Sequence, residues 1–169
     1  PPFIALVVSG GHAILAYVRD YNNFEVLGKT RDDAAGEAFD KVARVLGFPY
    51  PGGPYIEKTA QKGDENAIDF PKAFTNSKSD EFFEFSFSGL KSAVLNYINS
   101  EKQKGKEINI EDLAASFQKA IIDVLVLKTV AAAKEYKVKN VVLAGGVAAN
   151  KHLRLNLETE LSKINVGLY

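Results

Sequence analysis

The hydrophobic pattern at the start of the chain predicts three short strands in a meander. Phe3–Val8 is a run of β-branched and aromatic residues without helical periodicity, and similar runs follow at His12–Val18 and Phe24–Leu27. Turn residues occupy 9–11 and 20–23. Because these connections are short, we expect neighbouring strands to pair antiparallel.

A helix is predicted next, because apolar residues recur at helical spacing from Ala35 to Leu46. Thr30 and Asp33 are spaced as in a capping box, so the helix is expected to begin there. Gly47 is the expected stop.

A partly helical insert is predicted over about 55–110. It follows a proline- and glycine-rich run, 49–54, that can form neither a helix nor a central strand. After an irregular polar stretch at 63–80, the aromatic run Phe82–Phe87 predicts a short strand and Gly89–Ile98 a helix.

The final third of the chain alternates helix and strand. The pattern predicts a long helix from Glu111 to about Tyr136 and a buried strand at Asn140–Leu143. A glycine turn then leads into a helix at about Ala149–Lys163, and Asn165–Tyr169 has the pattern of a further strand.

This order of elements predicts an α/β fold in a single domain, 1–169. A three-strand meander followed by alternating helices and strands is typical of a ribonuclease-H-like lobe. Two such lobes facing each other form the actin-like ATPase (ASKHA) superfold, an analogy of fold that specifies no chemistry.

Composition narrows the classes of function. The absence of cysteine excludes disulfides and thiolate metal sites. Lys+Arg and Asp+Glu both number 21, so the chain has no bulk basic field for nucleic acid. The most apolar helical stretch, 121–130, is interrupted by Asp123 and Lys128, and no membrane association is expected.

Two glycine pairs are candidate phosphate-binding turns. Gly10-Gly11 joins the first two strands, and Gly145-Gly146 joins a strand to a helix, where free backbone N–H groups can approach an anion. Asn150 falls in the first turn of that helix, where its amide can bond a ribose or a base. Each turn alone is also typical of an ordinary tight connection.

A stripe of carboxylates on the first helix, at Asp33, Glu37 and Asp40, has two interpretations. It fits general acid–base or metal chemistry, and it fits equally a solvated helix face. The turn at Gly53 can shape a pocket wall or merely redirect the chain. Glu57, one turn later, has the pattern of an exposed helix residue.

The two histidines, His12 and His152, stand 140 positions apart, and no H-E-x-x-H pattern occurs. A zinc-protease helix is therefore excluded within these residues. His12 can brace the first glycine turn, and His152 has the pattern of an exposed helix residue.

Five motifs are more specific together than any is alone. They occur in this order: VVSGGH at 7–12, DDAAGEAFDK at 32–41, YPGGP at 50–54, FSFSGLK at 85–91 and AGGVAAN at 144–150. The series resembles the TsaD/Gcp family, formerly named O-sialoglycoprotein endopeptidase, over essentially the whole chain. The aromatic motif is similar to the bacterial branch.

The resemblance implies the second lobe of an enzyme that modifies tRNA. Such an enzyme transfers a threonylcarbamoyl group from threonylcarbamoyl-AMP to the N6 amine of the adenosine following the anticodon. Residues 7–11 would lie against the phosphate and carbamoyl, Asp40, Gly53 and Glu57 beside the ribose, and Asn150 against the nucleotide from the other side. With the second glycine turn, the candidate substrate-binding residues are Val7, Val8, Ser9, Gly10, Gly11, Asp40, Gly53, Glu57, Gly145, Gly146 and Asn150.

The resemblance also implies what this chain lacks. The family's divalent metal, iron or zinc, is held by two histidines before the matching segment and an aspartate after it, and neither His12 nor His152 stands at those positions. We therefore expect no metal ligand here, no transferase activity from these residues alone and only weak binding of threonylcarbamoyl-AMP, ATP or ADP. No catalytic residue is assigned. Implied partners are tRNA and TsaB-like and TsaE-like proteins, in the cytoplasm.

Other function classes remain open at this point. The old family name suggests a metalloprotease, and the superfold suggests an ATPase or a non-catalytic binding module. Retention of Asp40, Gly53 and Asn150 together argues against a degenerate site.

Overall fold

The predicted meander forms one side of a five-stranded sheet. The computed structural model describes all 169 residues. The strands are β1 Phe3–Val8, β2 Ala13–Asp20, β3 Asn23–Lys29, β4 Asn140–Ala144 and β5 Gly167–Leu168, arranged in the order β3-β2-β1-β4-β5. β1, β2 and β3 pair antiparallel as expected, whereas β4 pairs parallel with both β1 and β5. The mixed sheet with helices confirms the predicted α/β class.

Five α-helices and one 3₁₀ turn complete the chain. They are α1 Ala35–Val45, α2 Gly53–Ala60, α3 Ser88–Gln103, α4 Ile110–Glu135, the 3₁₀ turn Gly146–Ala149 and α5 Lys151–Ser162. The last helix begins two residues later than the predicted Ala149, because Asn150 caps it after the 3₁₀ turn.

The core lies between the sheet and α4. Alternate β1 residues Ile4, Leu6 and Val8 are completely buried, as the pleat of a half-covered strand requires. They meet the buried apolar residues of α4, among them Phe117 and Ile121. Each such side chain contributes about 2 kcal/mol by leaving water, so this interface fixes α4 across the sheet.

The capping of α1 differs from the expectation. The N-cap is Ala34 rather than Thr30, and the Glu37 carboxylate accepts a hydrogen bond from the Ala34 N–H at 3.3 Å. The Thr30 hydroxyl instead donates to the Asp33 carbonyl at 2.7 Å. The Thr30–Asp33 spacing therefore shapes the turn before the helix.

Two further predictions, one inside the insert and one just before it, were wrong. Phe82–Phe87 is no strand: only Phe85 forms an isolated bridge, to Thr30, and the neighbouring aromatic side chains pack into the core instead. The expected loop 49–54 ends early, because α2 begins at Gly53 with Pro54 in its first turn, a position where proline loses no hydrogen bond.

Asp32 joins two of the sequence motifs in space. Its carboxylate accepts hydrogen bonds from the Ser86 and Ser88 hydroxyls at 2.5 and 2.9 Å, and from the Phe87 and Ser88 amides at 2.9 and 3.2 Å. Burial raises the pKa of Asp32, but these four hydrogen bonds outweigh it and hold the pKa below its usual value. Asp32 therefore satisfies the N-terminus of α3 and ties it to the start of α1.

Candidate functional site

The two glycine turns meet at the ends of β1 and β4. A Cβ on Gly145 would lie 2.2 Å from the Val8 carbonyl oxygen, and Gly145 has φ +98°, so only glycine fits there without strain. On the other side, a Cβ on Gly36 would lie 2.6 Å from the Ser9 carbonyl oxygen, to which the Gly36 N–H donates at 3.0 Å. The first turn is therefore held between α1 and the second turn by close backbone contacts.

Ser9 organises the first turn. Its hydroxyl oxygen accepts hydrogen bonds from the Gly11 and His12 amides at 3.3 and 3.0 Å, and it lies 3.5 Å from His12 Nδ1. The Gly10 N–H makes no hydrogen bond within the chain. His12 thus braces the turn, as the sequence suggested.

A hollow of about 620 Å³ opens between these turns, α1, α2 and the start of α5, and we call it the substrate hollow. Of the predicted site residues, six line it: Gly10, Asp40, Gly53, Glu57, Gly146 and Asn150. Five do not: Val7, Val8, Ser9, Gly11 and Gly145. Of these, the Val8 side chain is completely buried in the core. Both glycine turns nevertheless contribute to the wall of the same hollow.

Lys41 separates Asp40 from the other carboxylates of the stripe. The Lys41 Nζ lies 2.8 Å from Asp33 Oδ1 and 3.1 Å from Glu37 Oε1, and hydrogen bonds to these two carboxylates raise the pKa of Lys41. Asp40 turns toward the loop before α2, where its Oδ1 accepts a hydrogen bond from the Gly52 N–H at 2.8 Å. Asp40 is therefore the one carboxylate of the stripe that faces the substrate hollow.

Glu57 connects α2 to the first residue of α5. Its Oε1 accepts a hydrogen bond from the Lys151 N–H at 3.3 Å, at the helix end where a carboxylate is favoured by the helix dipole. Glu57 is half-buried and lines the hollow.

Asn150 is fixed as a hydrogen-bond donor by two buried contacts. Its Oδ1 accepts from the Leu153 N–H at 3.0 Å, and its Nδ2 donates to Gln118 Oε1 at 2.9 Å. Asn150 and Gln118 are only 8% and 4% exposed. Because the capping bond fixes which side-chain atom is oxygen, the second Nδ2 hydrogen is the donor that Asn150 keeps without a partner in the chain. Gln118 is a site-supporting residue missed in the sequence, where a lone amide in an apolar helical stretch was the available signal.

We expect Asn150→Asp to weaken binding of AMP about fivefold and to lower the free energy of unfolding by about 1–2 kcal/mol, because the buried Gln118 Oε1 loses its donor. Aspartate still caps α5 but has no N–H to donate. Calorimetric titration and urea unfolding measure the two quantities. Asn156→Asp is the control, because Asn156 lies on the same helix and donates only to the His152 carbonyl. Equal binding by both variants would contradict the donor role.

The residues present do not fit a bound metal ion. The chain contains no group of three or more His, Cys, Asp or Glu side chains placed to hold one. His152, expected to be exposed, is half-buried, and its Nε2 lies 3.1 Å from a Glu65 carboxylate oxygen.

None of the helices is both long and apolar enough to span a bilayer.

Comparison with known proteins identifies the family. A sequence model of TsaD, tRNA N6-adenosine threonylcarbamoyltransferase, matches residues 1–169. The chain belongs to the TsaD family. Proteins of that name from Clostridium botulinum (strain 657 / Type Ba4) and Bacillus subtilis (strain 168) are 58% and 59% identical to this TsaD chain. Each match covers 96% of this chain but only 47% and 46% of the relative, so the chain spans about half their length.

Solved structures support the actin-like fold of this TsaD chain. Full-length HypF in its phosphate- and nucleotide-bound form matches with a TM-score of 0.71 at 16% identity, over 99% of this chain and 36% of HypF. The activator of 2-hydroxyisocaproyl-CoA dehydratase from Clostridium difficile, with bound ADPNP, matches with a TM-score of 0.55 at 19% identity, over 98% and 52%. At these identities the likeness concerns the fold alone, and it confirms the predicted fold class.

Proposed function

We propose that the chain forms one wall of the active site of a tRNA N6-adenosine threonylcarbamoyltransferase and holds the adenylate of threonylcarbamoyl-AMP in the substrate hollow. The observation that carries the proposal is the meeting of two glycine turns, 9–11 and 145–146, around one hollow of about 620 Å³. That volume suits a mononucleotide-sized ligand. Membership of the TsaD family supports the reaction.

The groups lining the hollow match the parts of an adenylate. The free Gly10 N–H is suited to the phosphate, and the second oxygen of the Asp40 carboxylate to a ribose hydroxyl. The remaining Asn150 N–H is suited to an acceptor on the nucleoside. In the transfer, the N6 amine of the tRNA adenosine attacks the carbamoyl carbon of the donor and loses a proton. The bond from that carbon to the phosphate oxygen breaks, and AMP leaves with the bonding pair. Amide donors at the phosphate stabilise the charge that the leaving group gains.

The rest of the proposal concerns a longer protein of which this chain is one lobe. A divalent iron or zinc would be held there by residues outside this chain, and no step above depends on it. tRNA would be the acceptor, TsaB-like and TsaE-like proteins the partners, and the cytoplasm the compartment. ATP or ADP are the competing ligands, since a structural neighbour carries bound ADPNP. No feature of the chain favours the metalloprotease hypothesis.

A binding experiment tests the adenylate site directly. We expect AMP to bind the 169-residue chain weakly, and 2′,3′-dideoxy-AMP about fivefold more weakly still, through loss of one hydroxyl contact to Asp40. Asp40→Asn keeps the acceptor for Gly52 but replaces the free carboxylate oxygen with a neutral N–H group, which contacts a ribose hydroxyl more weakly, so the difference between the two nucleotides should shrink. An unchanged difference would remove Asp40 from the ribose site. Micromolar or tighter AMP binding would contradict the expected weakness of a half cleft.

An activity experiment tests the reaction. Residues 1–169 replace the matching segment of the Bacillus subtilis relative, to which they are 59% identical. We expect the chimera to form threonylcarbamoyladenosine on tRNA, and the Asp40→Asn chimera to do so with a raised KM for the donor. A folded, AMP-binding chimera that makes no product would refute the proposed transferase function while leaving the nucleotide site intact.

A further inference from the structure

Tyr50 stands at the mouth of the substrate hollow with its side chain unpacked. It is 82% exposed yet lines the hollow, together with the neighbouring Pro51. An aromatic ring held in water at the entrance of a binding site has apolar surface that no part of the chain covers. This position differs from that of Phe24, which is exposed on β3 away from the hollow.

The loop that carries Tyr50 is well anchored. The Gly52 N–H donates to Asp40, and Phe48 stacks on Tyr55 with ring centroids 6.1 Å apart. Pro51 restricts the backbone of Tyr50, which precedes it, and Pro49 fixes its own φ in the same loop. A ring presented by a constrained loop loses little conformational entropy on stacking.

We propose that Tyr50 is a stacking platform for an unstacked base of the acceptor RNA. The inference rests on the proposed function, which requires an adenosine to leave its RNA stack and approach the donor in the hollow. Stacking is the contact that an exposed tyrosine offers to a base, and it tolerates any base because it needs only the ring face. The exposed Lys58 lines the same hollow and provides the local positive charge that an RNA phosphate needs in a chain of zero net charge.

The chain allows a direct optical test because it contains no tryptophan. In Tyr50→Trp, the single tryptophan reports stacking through quenching of its fluorescence. The probes are an RNA hairpin with an anticodon loop followed by adenosine, the same hairpin with that nucleotide abasic, and AMP. We expect quenching by the intact hairpin, clearly less quenching by the abasic hairpin and little by AMP. Equal quenching by the two hairpins would overturn the proposal. Quenching by AMP alone would also overturn it, because the ring would then stack on the base of the donor.

Affinity measurements complete the test. We expect Tyr50→Ala to bind the intact hairpin about tenfold more weakly than wild type, with a much smaller loss of AMP affinity, and Tyr50→Phe to retain binding of both. Tyr21→Ala is the matched control, because Tyr21 is 87% exposed on the turn between β2 and β3 and lies outside the hollow. A hairpin that fails to bind while AMP binds would refute the platform without touching the nucleotide site. If Tyr50 instead packs against the rest of a longer protein, the hairpin is likewise expected not to bind.

Discussion

Gly145→Ala is expected to lower the free energy of unfolding by about 2–4 kcal/mol, the sum of backbone strain and a collision. Gly145 has φ +98°, a conformation that alanine adopts only at a cost. The new methyl group would also lie 2.2 Å from the Val8 carbonyl oxygen and 3.1 Å from its nitrogen, so β1 and β4 would have to separate at the edge that carries both glycine turns. Urea unfolding measures the loss.

Gly146→Ala is the matched control for this prediction. Gly146 is adjacent in sequence, its φ is not in the left-handed region, and a Cβ there has no atom within 4 Å. We expect its free energy of unfolding to stay within about 1 kcal/mol of wild type. Similar losses in both variants would show that the close approach of the two turns does not stabilise the fold.

The strands and the long helix were predictable because their signals are local. Turn residues at 9–11 and 20–23 delimit β1 to β3, and the alternation of their neighbours needs no distant partner. The parallel pairing of β1 with β4 is different, because it joins residues more than 130 positions apart. Its only support in the sequence came from the order of elements, which is typical of one superfold.

Phe82–Phe87 shows why a local signal can mislead. Its aromatic residues have high strand propensity, but that propensity reflects how side chains pack on a half-buried pleated surface and does not by itself fix the backbone. Here the segment leaves β3 after one bridge, Thr30 to Phe85, and Asp32 binds Ser86 and Ser88 instead. The aromatic rings of this segment pack into the core rather than on a pleated surface. An aromatic composition therefore occurs here without a strand.

The sequence allowed the two glycine turns of the site to be predicted, but not which polar side chains face the hollow. Glycine pairs at 10–11 and 145–146 are visible in the sequence, and their meeting depends on a tertiary contact with Val8. Lys41 decides which carboxylate faces the hollow by pairing with the two other members of the stripe. Gln118 lies 32 positions from Asn150, so no sequence spacing indicates that the two form a pair.

A second large effect is expected at Lys128, which is completely buried in α4. Its Nζ donates to the backbone carbonyls of Glu84 and Ala73. The Nζ also faces aromatic rings with centroids 5.2–5.6 Å away, those of Phe74, Phe82 and Phe85. Lys128→Ala should lower the free energy of unfolding by about 3 kcal/mol, because it leaves a cavity and two unsatisfied carbonyls under the insert. The control is Lys134→Ala, an exposed lysine on the same helix, which should change little.

The pH dependence of stability separates the charge of Lys128 from its packing. Burial lowers the pKa of Lys128 to about 8, with the Glu84 carboxylate opposing the shift, whereas the ordinary value is 10.5. Between these values the unfolded chain binds more protons than the folded one, so the free energy of unfolding should rise as pH increases from about 8 toward 10.

Lys128→Met isolates this contribution, because methionine keeps most of the volume but cannot titrate. The difference in free energy of unfolding between wild type and Lys128→Met should grow in favour of wild type by on the order of 2 kcal/mol from pH 7.5 to pH 9.5. Urea unfolding at each pH measures it, and other lysines and tyrosines cancel in the comparison. If the difference in free energy of unfolding does not change with pH, the Glu84 carbonyl and the three rings stabilise the charged ammonium group as well as water does. Lys128 would then be a permanent cation at the centre of the insert's packing.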